Sequence, residues 1–314
     1  FRRYPNPCFL ETGSHLGDGI QAALDAGFPR VHSIELSPKY YAHCLKRFAA
    51  HTVDGRVTLY FGDSSTLLPR ILANLETPAT FWLDGHYSAG DTALVAKSCP
   101  LMEELDAIAA HPLYRAAEEA SGGWSIMVGL KRMDLFLILT RFLGRLDCQD
   151  IIEFGSYRGG NALFMAWILR ELYPQAKVYA CDTYAGMPQT DLTRDAHYAG
   201  DFADTSQADL EARRDALGLT NLIVVRGRFE ETFHGIAASG ATFGLAHIDC
   251  DIYSAVKYAQ EEVWPHMTKG GYVVYDDADA PTCIGATEAV EELIMDRRIH
   301  AEQVWPHWVF RAGL

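Results

Sequence analysis

Short apolar runs alternate with amphipathic stretches along the chain, and this alternation predicts a parallel α/β fold. In the first half, four apolar runs are expected to form strands. They begin at Cys8 and Val31 and within the segments RVTLYF and ATFWL. Each ends in a glycine-containing turn or an acidic residue, and the last ends at Asp84. A repeated order of strand, turn and helix is typical of sheets whose helices lie on the faces.

The second half shows the same pattern, with longer helices between its strands. The apolar runs expected to form strands lie at Asp150–Gly160, Lys177–Asp182, Asn221–Gly227, Phe243–Ile248 and Tyr272–Tyr275. Helices are expected at Leu130–Leu146 and Ile284–Arg297, and the segment Val304–Arg311 is expected to form a final strand pair. The loop after Asp182 is long and rich in Gly, Asp and His, which is typical of a lid over a binding site.

Carboxylates follow two neighbouring strands of the second half. Asp249 and Asp251 come after Phe243–Ile248, and Asp276 and Asp277 come after Tyr272–Tyr275. A helix over Ser254–Met267, stopped by Gly270-Gly271, would connect these strands in parallel and bring their ends to one edge of the sheet. Carboxylates without a nearby Lys or Arg would repel one another unless a cation lay among them. We therefore expect Asp249, Asp276 and Asp277 to hold Mg²⁺, which prefers oxygen ligands.

A purely structural role is the alternative for some of these carboxylates. Asp251, before Ile252, is placed to cap the following helix. Asp279, before Ala280-Pro281, is placed to form a turn. These two residues are therefore left out of the predicted metal site.

Composition and charge exclude several classes of function. The chain has 314 residues, a net charge of −14 and 49% hydrophobic residues, which is typical of a globular protein of two domains. An acidic surface disfavours nucleic acid and anionic membranes as partners. No apolar run is long enough to span a bilayer, and we expect no signal peptide. Seven cysteines without a CxxC pair indicate reduced core residues in a cytoplasmic protein. The chain begins at Phe1 rather than Met, as a fragment of a longer protein would.

The two halves repeat each other. ETGSHLG matches EFGSYRG, IELS matches CDTY, LYFGDSSTLL matches VVRGRFEETF, and WLDGHYSAGD matches HIDCDIYSAV. Such a repeat predicts two tandem Rossmann-like domains, at residues 1–120 and 124–314, joined by Ser121-Gly122-Gly123. The loop E-x-G-x-x-x-G, followed by an acid at the end of the next strand, suits an adenosine-containing ligand. The first domain is expected to be incomplete, because no fifth strand with an acidic end precedes the linker.

The second half also resembles a known family. The segments IIEFGSYRGG, ACDTYAGMP, GRFEETF, HIDCDIYS, GGYVVYDDAD and HWVFR resemble those of the macrocin O-methyltransferases. That resemblance implies a class I methyltransferase fold and an enzyme that uses S-adenosylmethionine and Mg²⁺ to methylate a sugar hydroxyl of a glycosylated natural product or glycan. The glycine loop is also similar to that of catechol O-methyltransferase. The first half resembles the same fold more loosely.

The resemblance implies roles for individual residues, which we retain as expectations. Asp249 is the expected base, with His197 in the loop as second choice, while His247 is expected to be a core residue. The residues expected to bind the cofactor are Glu153, Gly155, Ser156 and Tyr157 at the methionine end, Asp182 at the ribose, and Arg228 and Phe229 at the adenine.

Three readings of function follow. The first is methyl transfer from S-adenosylmethionine to a glycoside or glycan, with residues 1–120 non-catalytic and homo-oligomers compatible with the resemblance. The second is a catechol-type O-methyltransferase that depends on Mg²⁺. The third is a non-catalytic protein that binds S-adenosylmethionine or acts as a scaffold. A dinucleotide oxidoreductase is disfavoured, because the turn EFGSYRGG is not G-x-G-x-x-G.

Overall fold

The chain divides into two units, Phe1–Pro112 and Leu113–Leu314. The computed structural model describes residues 1, 6–75, 77, 79–85 and 100–313. The unit boundary precedes the expected linker at Ser121, which instead ends a helix of the second unit. Cys99 and the whole segment HYSAGD lie outside the described residues, so the repeat is compared below only up to Gly85.

The first unit contains a four-stranded parallel sheet in the strand order β3-β2-β1-β4. Phe9 packs on one face of β1 with Ile20 and Cys44, and the adjacent Leu10 packs on the other face with Leu68. β1 is therefore buried on both sides. The elements are β1 (Cys8–Thr12), α1 (Asp18–Asp25), β2 (Arg30–Glu35), α2 (Pro38–Arg47), α3 (Ala49–Val53), β3 (Val57–Phe61), α4 (Ser64–Leu72), β4 (Ala79–Leu83) and α5 (Leu101–Ala109).

The second unit contains a six-stranded sheet in the order β10-β9-β8-β5-β6-β7. Only β10 runs antiparallel, along β9. The elements are α6 (Pro112–Ser121), α7 (Gly129–Arg141), β5 (Ile151–Phe154), α8 (Gly160–Leu172), β6 (Val178–Asp182), α9 (Gln207–Ala216), β7 (Leu222–Arg226), α10 (Phe229–Ala238), β8 (Phe243–Ile248), α11 (Tyr253–Val263), β9 (Met267–Tyr275), α12 (Ile284–Arg297) and β10 (Trp308–Arg311).

The strand order is that of a Rossmann-like α/β fold. When the strands of each unit are counted in chain order, the third, second, first and fourth lie side by side in both sheets. The chain leaves the first strand in one direction and returns to its other side at the fourth. The carboxyl ends on either side of this reversal border a crevice, which is where open α/β sheets bind ligands. The predicted α/β class, with Rossmann-like parallel sheets, is therefore confirmed.

Two local predictions are wrong. Gly270 and Gly271 do not stop a helix, since α11 ends at Val263 and both glycines lie within β9. Gly270 has a φ of 75°, and its N–H and carbonyl bond Ala312 and Arg311, so the strand continues through a conformation that favours glycine. The expected strand pair near the C-terminus is one strand, β10, with an isolated bridge between Gln303 and Val309.

Among the helices of the described ranges, none has both the length and the apolar character that crossing a bilayer needs.

Candidate active site

The turn after β5 allows an unusually close approach of two strand ends. Gly155 has a φ of 93°, and a Cβ there would lie 1.8 Å from the carbonyl oxygen of Asp249. The N–H of Gly155 bonds the carbonyl of Cys181, and the N–H of Asp249 bonds the carbonyl of Phe154. Glycine is therefore required here, and it brings the ends of β5, β6 and β8 together.

Asp182, at the end of β6, fixes the glycine turn in place. Its carboxylate accepts hydrogen bonds from the backbone N–H of Tyr157 at 2.8 Å and of Tyr184 at 2.7 Å. Burial raises the pKa of Asp182, and these two hydrogen bonds oppose that rise. The side chain remains partly exposed towards the crevice, so it can accept further hydrogen bonds from a ligand.

A cavity of about 250 Å³ opens at this edge of the second unit. The carboxylates Asp249, Asp276 and Asp277 line it. Most of the residues predicted to bind the cofactor also line it, namely Gly155, Ser156, Tyr157, Asp182, Arg228 and Phe229. Glu153 is the exception, because it lies within β5 and is fully buried. Its carboxylate instead lies 3.2 Å from Nδ1 of His247.

The three carboxylates predicted as metal ligands lie together. One oxygen each from Asp249, Asp276 and Asp277 lies within 4.8 Å of the others. Burial, then the charges of Asp276 and Asp277, raise the pKa of Asp249 well above its ordinary value. Burial and the charges of Asp251 and Asp276 do the same to Asp277. A hard divalent cation fits this oxygen-only set, because it would relieve the repulsion that raises these pKa values.

The assumption that no Lys or Arg is nearby is wrong. Nζ of Lys131, on α7, lies 3.5 Å from Oδ2 of Asp276 and 3.3 Å from Oδ1 of Asp279. It also donates a hydrogen bond to the carbonyl of Asp276. This ammonium offsets part of the negative charge on one side of the cluster. Asp249 and Asp277 still have raised pKa values, so the repulsion is only partly relieved.

A buried histidine holds Asp276. Nε2 of His307 lies 3.2 Å from Oδ1 of Asp276, and Nδ1 lies 2.8 Å from Oδ2 of Asp134 on α7. Burial would lower the pKa of His307, but its hydrogen bonds to the two carboxylates raise it. Burial would likewise raise the pKa of Asp276, yet the hydrogen bond to His307 and the charges of His247 and Lys131 lower it. Asp276 is thus kept ionised and fixed in orientation.

His247 only partly fits its expected role as a core residue. It is fully buried on β8, and Nδ1 pairs with Glu153. Its Nε2 has no hydrogen-bond partner within the described ranges. Together with Asp276 and His307 it forms a group in which one potential ligand atom of each residue lies within 4.8 Å of the others. His247 therefore borders the carboxylate cluster as well as the core.

His197, the second candidate base, lies beside Asp251 and not along the cavity wall. Its Nε2 is 3.9 Å from Oδ1 of Asp251, and its Nδ1 is 3.4 Å from Oδ2 of Asp201. Asp251 itself lines the cavity, has a φ of 59°, and donates its backbone N–H to Asp277. Burial raises the pKa of Asp251, and the charge of His197 opposes that rise. Asp251 therefore lines the candidate site, although the sequence pattern predicted a helix cap at this position.

The segment before α7, residues 124–128, closes one side of the cavity. The Ser125 hydroxyl bonds Asn161 at 2.5 Å, and the Asn161 amide donates to Asp249 at 3.3 Å. Ile126 and Val128 line the cavity although they are 67% and 60% exposed. The cavity thus has an apolar rim beside its acidic floor. The sequence offered no sign of this rim, because the segment lies between the expected linker, Ser121-Gly122-Gly123, and the first expected helix of the second domain.

Comparison with known proteins agrees with this geometry. Residues 114–306 match the family model for macrocin-O-methyltransferase (TylF). A tetracenomycin-C 4'-O-methyltransferase of Streptomyces olivaceus, named for its 2,3-dimethoxy-rhamnosyl substrate, is 29% identical over 50% of this chain and 64% of its own. Demethyldecarbamoylnovobiocin O-methyltransferase of Streptomyces niveus is 27% identical over 53% and 66%. Mycinamicin III 3''-O-methyltransferase of Micromonospora griseorubida is 25% identical over 58% and 77%.

The matched region spans just under two thirds of the first two relatives, at 64% and 66% of their lengths. The family model covers nearly the whole second unit, including the glycine turn, Asp182 and all three clustered carboxylates. The chain therefore belongs to the macrocin-O-methyltransferase family.

Proposed function

We propose that the second unit transfers the methyl group of S-adenosylmethionine to a sugar hydroxyl of a glycosylated small molecule. One observation carries the proposal: a single cavity is lined both by Asp182 beside its glycine turn and by Asp249, Asp276 and Asp277. The first feature suits an adenosine-containing donor, and the second suits an acceptor oxygen activated by a metal. Relatives named for methylating glycosylated compounds support the class of acceptor.

The donor would occupy the side of the cavity formed by the ends of β5, β6 and β7. Asp182 would accept hydrogen bonds from the ribose hydroxyls, since its carboxylate faces the crevice. Gly155, Ser156 and Tyr157 would surround the methionine portion, and Arg228 and Phe229 would flank the adenine. We assign Glu153 a supporting role, because it lies buried beneath this surface and pairs with His247.

Asp249, Asp276 and Asp277 would hold Mg²⁺. When bound, this ion acidifies and orients the acceptor hydroxyl. The protein's part is to aim the three carboxylates at one point. His307 keeps Asp276 ionised and fixed in orientation, and the Asn161 amide orients Asp249 through a hydrogen bond. Neighbouring groups that orient ligand side chains in this way commonly tune metal affinity by 10–100-fold.

A carboxylate beside the acceptor must take the hydroxyl proton. Asp249 is the base expected from the sequence, with His197 second, and we propose Asp251 as a further candidate. This residue lines the cavity, and its pKa is raised by burial, which makes its carboxylate a stronger base. His197 lies next to Asp251 and would stabilise its charged form. Asp249→Asn should remove Mg²⁺ binding, whereas Asp251→Asn should keep Mg²⁺ binding and lose turnover.

Most of the remaining rate enhancement would come from holding donor and acceptor in line. Such positioning supplies at best roughly 7–11 kcal/mol of barrier reduction. Segment 124–128 and the loop between Asp182 and α9 contribute side chains to the cavity wall, among them Met127, Met187 and Phe202. They would exclude water from the reacting atoms. We further propose that the first unit is non-catalytic.

Mass spectrometry of candidate acceptors incubated with protein, S-adenosylmethionine and Mg²⁺ tests the proposal. A glycoside should gain one methyl group on its sugar, while the matched aglycone should gain none. Methylation of a catechol but not of any glycoside would overturn the proposed substrate class. Binding of S-adenosylmethionine without turnover on any acceptor would favour the binding-protein alternative.

A further inference from the structure

Three side chains of different chemistry meet beside the cavity, outside the carboxylate cluster. His197 comes from the loop between β6 and α9, Asp251 from the turn after β8, and Cys283 from the residue before α12. The Cys283 Sγ lies 3.7 Å from Nε2 of His197 and 3.4 Å from Oδ1 of Asp251. The third separation, from His197 Nε2 to Asp251 Oδ1, is 3.9 Å. One nitrogen, one oxygen and one sulfur therefore face a common centre.

These separations are close to those around a tetrahedral metal ion. Zinc bonds of roughly 2.0–2.3 Å at tetrahedral angles place N, O and S donors about 3.3–3.6 Å apart. The separation of 3.4 Å between sulfur and oxygen lies within that range, and the other two, 3.7 Å and 3.9 Å, exceed it by at most a few tenths of an ångström. Binding would require small side-chain movements and no movement of the backbone. The fourth position would be left to water or another ligand.

A second observation points to a metal ligand in this place. Nδ1 of His197 is 3.4 Å from the Asp201 carboxylate, so the ring presents Nε2 to Cys283 and Asp251. Metal-binding histidines commonly hold their other ring nitrogen against a carboxylate in this way. The pair of His197 and Asp201 thus has the arrangement of a ligand with its orienting partner.

We propose that His197, Asp251 and Cys283 form a second metal site, selective for a thiophilic divalent cation such as Zn²⁺. The donor set separates this site from the neighbouring carboxylates, which offer only oxygen and suit Mg²⁺. On binding, the Cys283 thiol releases its proton to solvent and the thiolate becomes the sulfur ligand. No electron transfer is involved.

Occupancy of this site has a consequence that rests on the proposed function. Asp251 lines the cavity and is our candidate base, and its Oδ1 would be committed to the metal. The ion would also tie the loop that carries His197 to the start of α12. Zn²⁺ would therefore inhibit methyl transfer at a site distinct from the Mg²⁺ ligands.

Cobalt substitution tests the site directly on the full chain. Titration with Co²⁺ should give one equivalent of a thiolate-to-cobalt charge-transfer absorption in the near ultraviolet, which excess Mg²⁺ does not remove and Zn²⁺ bleaches. Cys283→Ser, a change of one atom, should abolish this band and weaken Zn²⁺ binding at least about tenfold. Cys148→Ser is the matched control, because Cys148 is a partly exposed thiol bonded to the carbonyl of Thr242.

Absence of the band in the wild-type protein, or its persistence in Cys283→Ser, would overturn the proposal. The readout involves neither S-adenosylmethionine nor turnover. A protein that binds Co²⁺ in this way but methylates no glycoside would refute the proposed function alone. A protein that methylates a glycoside without showing the band would refute only the second metal site.

Discussion

The two units build the same turn and differ in the side chains around it. In the first unit, Glu35 accepts the backbone N–H of His15 and of Ser37, each at 2.7 Å. In the second, Asp182 accepts those of Tyr157 and Tyr184. The glycine of each turn also approaches the residue after the fourth strand. A Cβ on Gly13 would lie 2.5 Å from the carbonyl oxygen of Asp84, as one on Gly155 would clash with Asp249.

The two units differ in the residue that lies opposite the buried glutamate on the neighbouring strand. Glu11 on β1 lies opposite Trp82, whereas Glu153 on β5 lies opposite His247. Glu11 accepts a hydrogen bond from Ser33, and its pKa is raised to about 8 by burial. Glu153 instead adjoins a chain of polar groups that leads to the carboxylate cluster. The turn therefore belongs to the fold, while the chemistry depends on what surrounds it.

The second unit surrounds its turn with elements that the described part of the first unit does not contain. β9 brings Asp276 and Asp277 alongside Asp249, the segment before β10 brings His307, and α7 brings Lys131. Within residues 6–75 and 79–85, the sheet of the first unit ends at β4. Asp84 is exposed there, whereas Asp249 is largely buried. The comparison predicts that catalysis fails when the added elements are altered and not when the shared turn of the first unit is.

The largest effect is expected from loss of the metal cluster. Asp277→Asn, or an excess of EDTA, should lower kcat by about 10³-fold, because a metal contributes several kcal/mol of charge stabilisation. Asp279→Asn is the matched control, since Asp279 is an exposed neighbour that pairs with Lys131 and lies outside the cluster. Circular dichroism should show that both variants fold. Full activity in excess chelator would refute the metal assignment.

The next effect concerns stability of the first unit as a function of pH. Glu11 has a folded pKa of about 8 against an ordinary value of 4.5, so the folded state holds its proton more tightly than the unfolded state. The stabilisation is complete below pH 4.5 and is lost as pH rises towards 8, by about 1.4 kcal/mol per pH unit at most. Glu11→Gln should remove this dependence.

The pH dependence of the stability of the first unit can be measured by hydrogen exchange of β1 and β2 amides in the full chain. The protection of the wild type, relative to Glu11→Gln at the same pH, should fall between pH 5 and 8. Amides of β5 and β6 serve as the internal control, because they belong to the other unit. A constant difference between the two proteins across this range would show that Glu11 does not titrate as the structure indicates.

The residues of the glycine turns and strand ends could be predicted from the sequence, whereas the residues that pack around them from distant elements could not. The glycine turns, Asp182 and the aspartates after β8 and β9 could be predicted, because local pattern places them at strand ends and parallel topology brings strand ends together. Lys131 and His307 could not, since 145 and 31 residues separate them from Asp276. The packing of α7 determines the approach of Lys131, and the pairing of β10 with β9 determines that of His307. Gly270-Gly271 was misassigned because a Gly pair stops helices more often than it interrupts strands.

A smaller effect is expected on donor affinity. Asp182→Ala should weaken binding of S-adenosylmethionine by roughly 1.5–3 kcal/mol, the range for hydrogen bonds to a charged group, which is about 10- to 100-fold in Kd. Glu35→Ala removes the corresponding carboxylate from the first unit and should leave the affinity of the second unit unchanged. Isothermal titration calorimetry distinguishes the two. Equal losses in both variants would contradict placing the donor in the second unit.

The smallest effect is expected from Asp84→Ala, which tests the comparison at its closest point. Asp84 and Asp249 follow equivalent strands, and each donates its backbone N–H to the residue that precedes the glycine turn, Thr12 or Phe154. These backbone contacts survive substitution by Ala in both units. Of the two, Asp249 alone belongs to a group of three carboxylates among the described residues, so Asp249→Ala should abolish methyl transfer while Asp84→Ala leaves kcat and KM within about twofold of the wild type. If Asp84→Ala abolished turnover with the fold and acceptor binding intact, the first unit would be a catalyst. The conclusion that both units share the turn while only the second carries the catalytic residues would then be wrong.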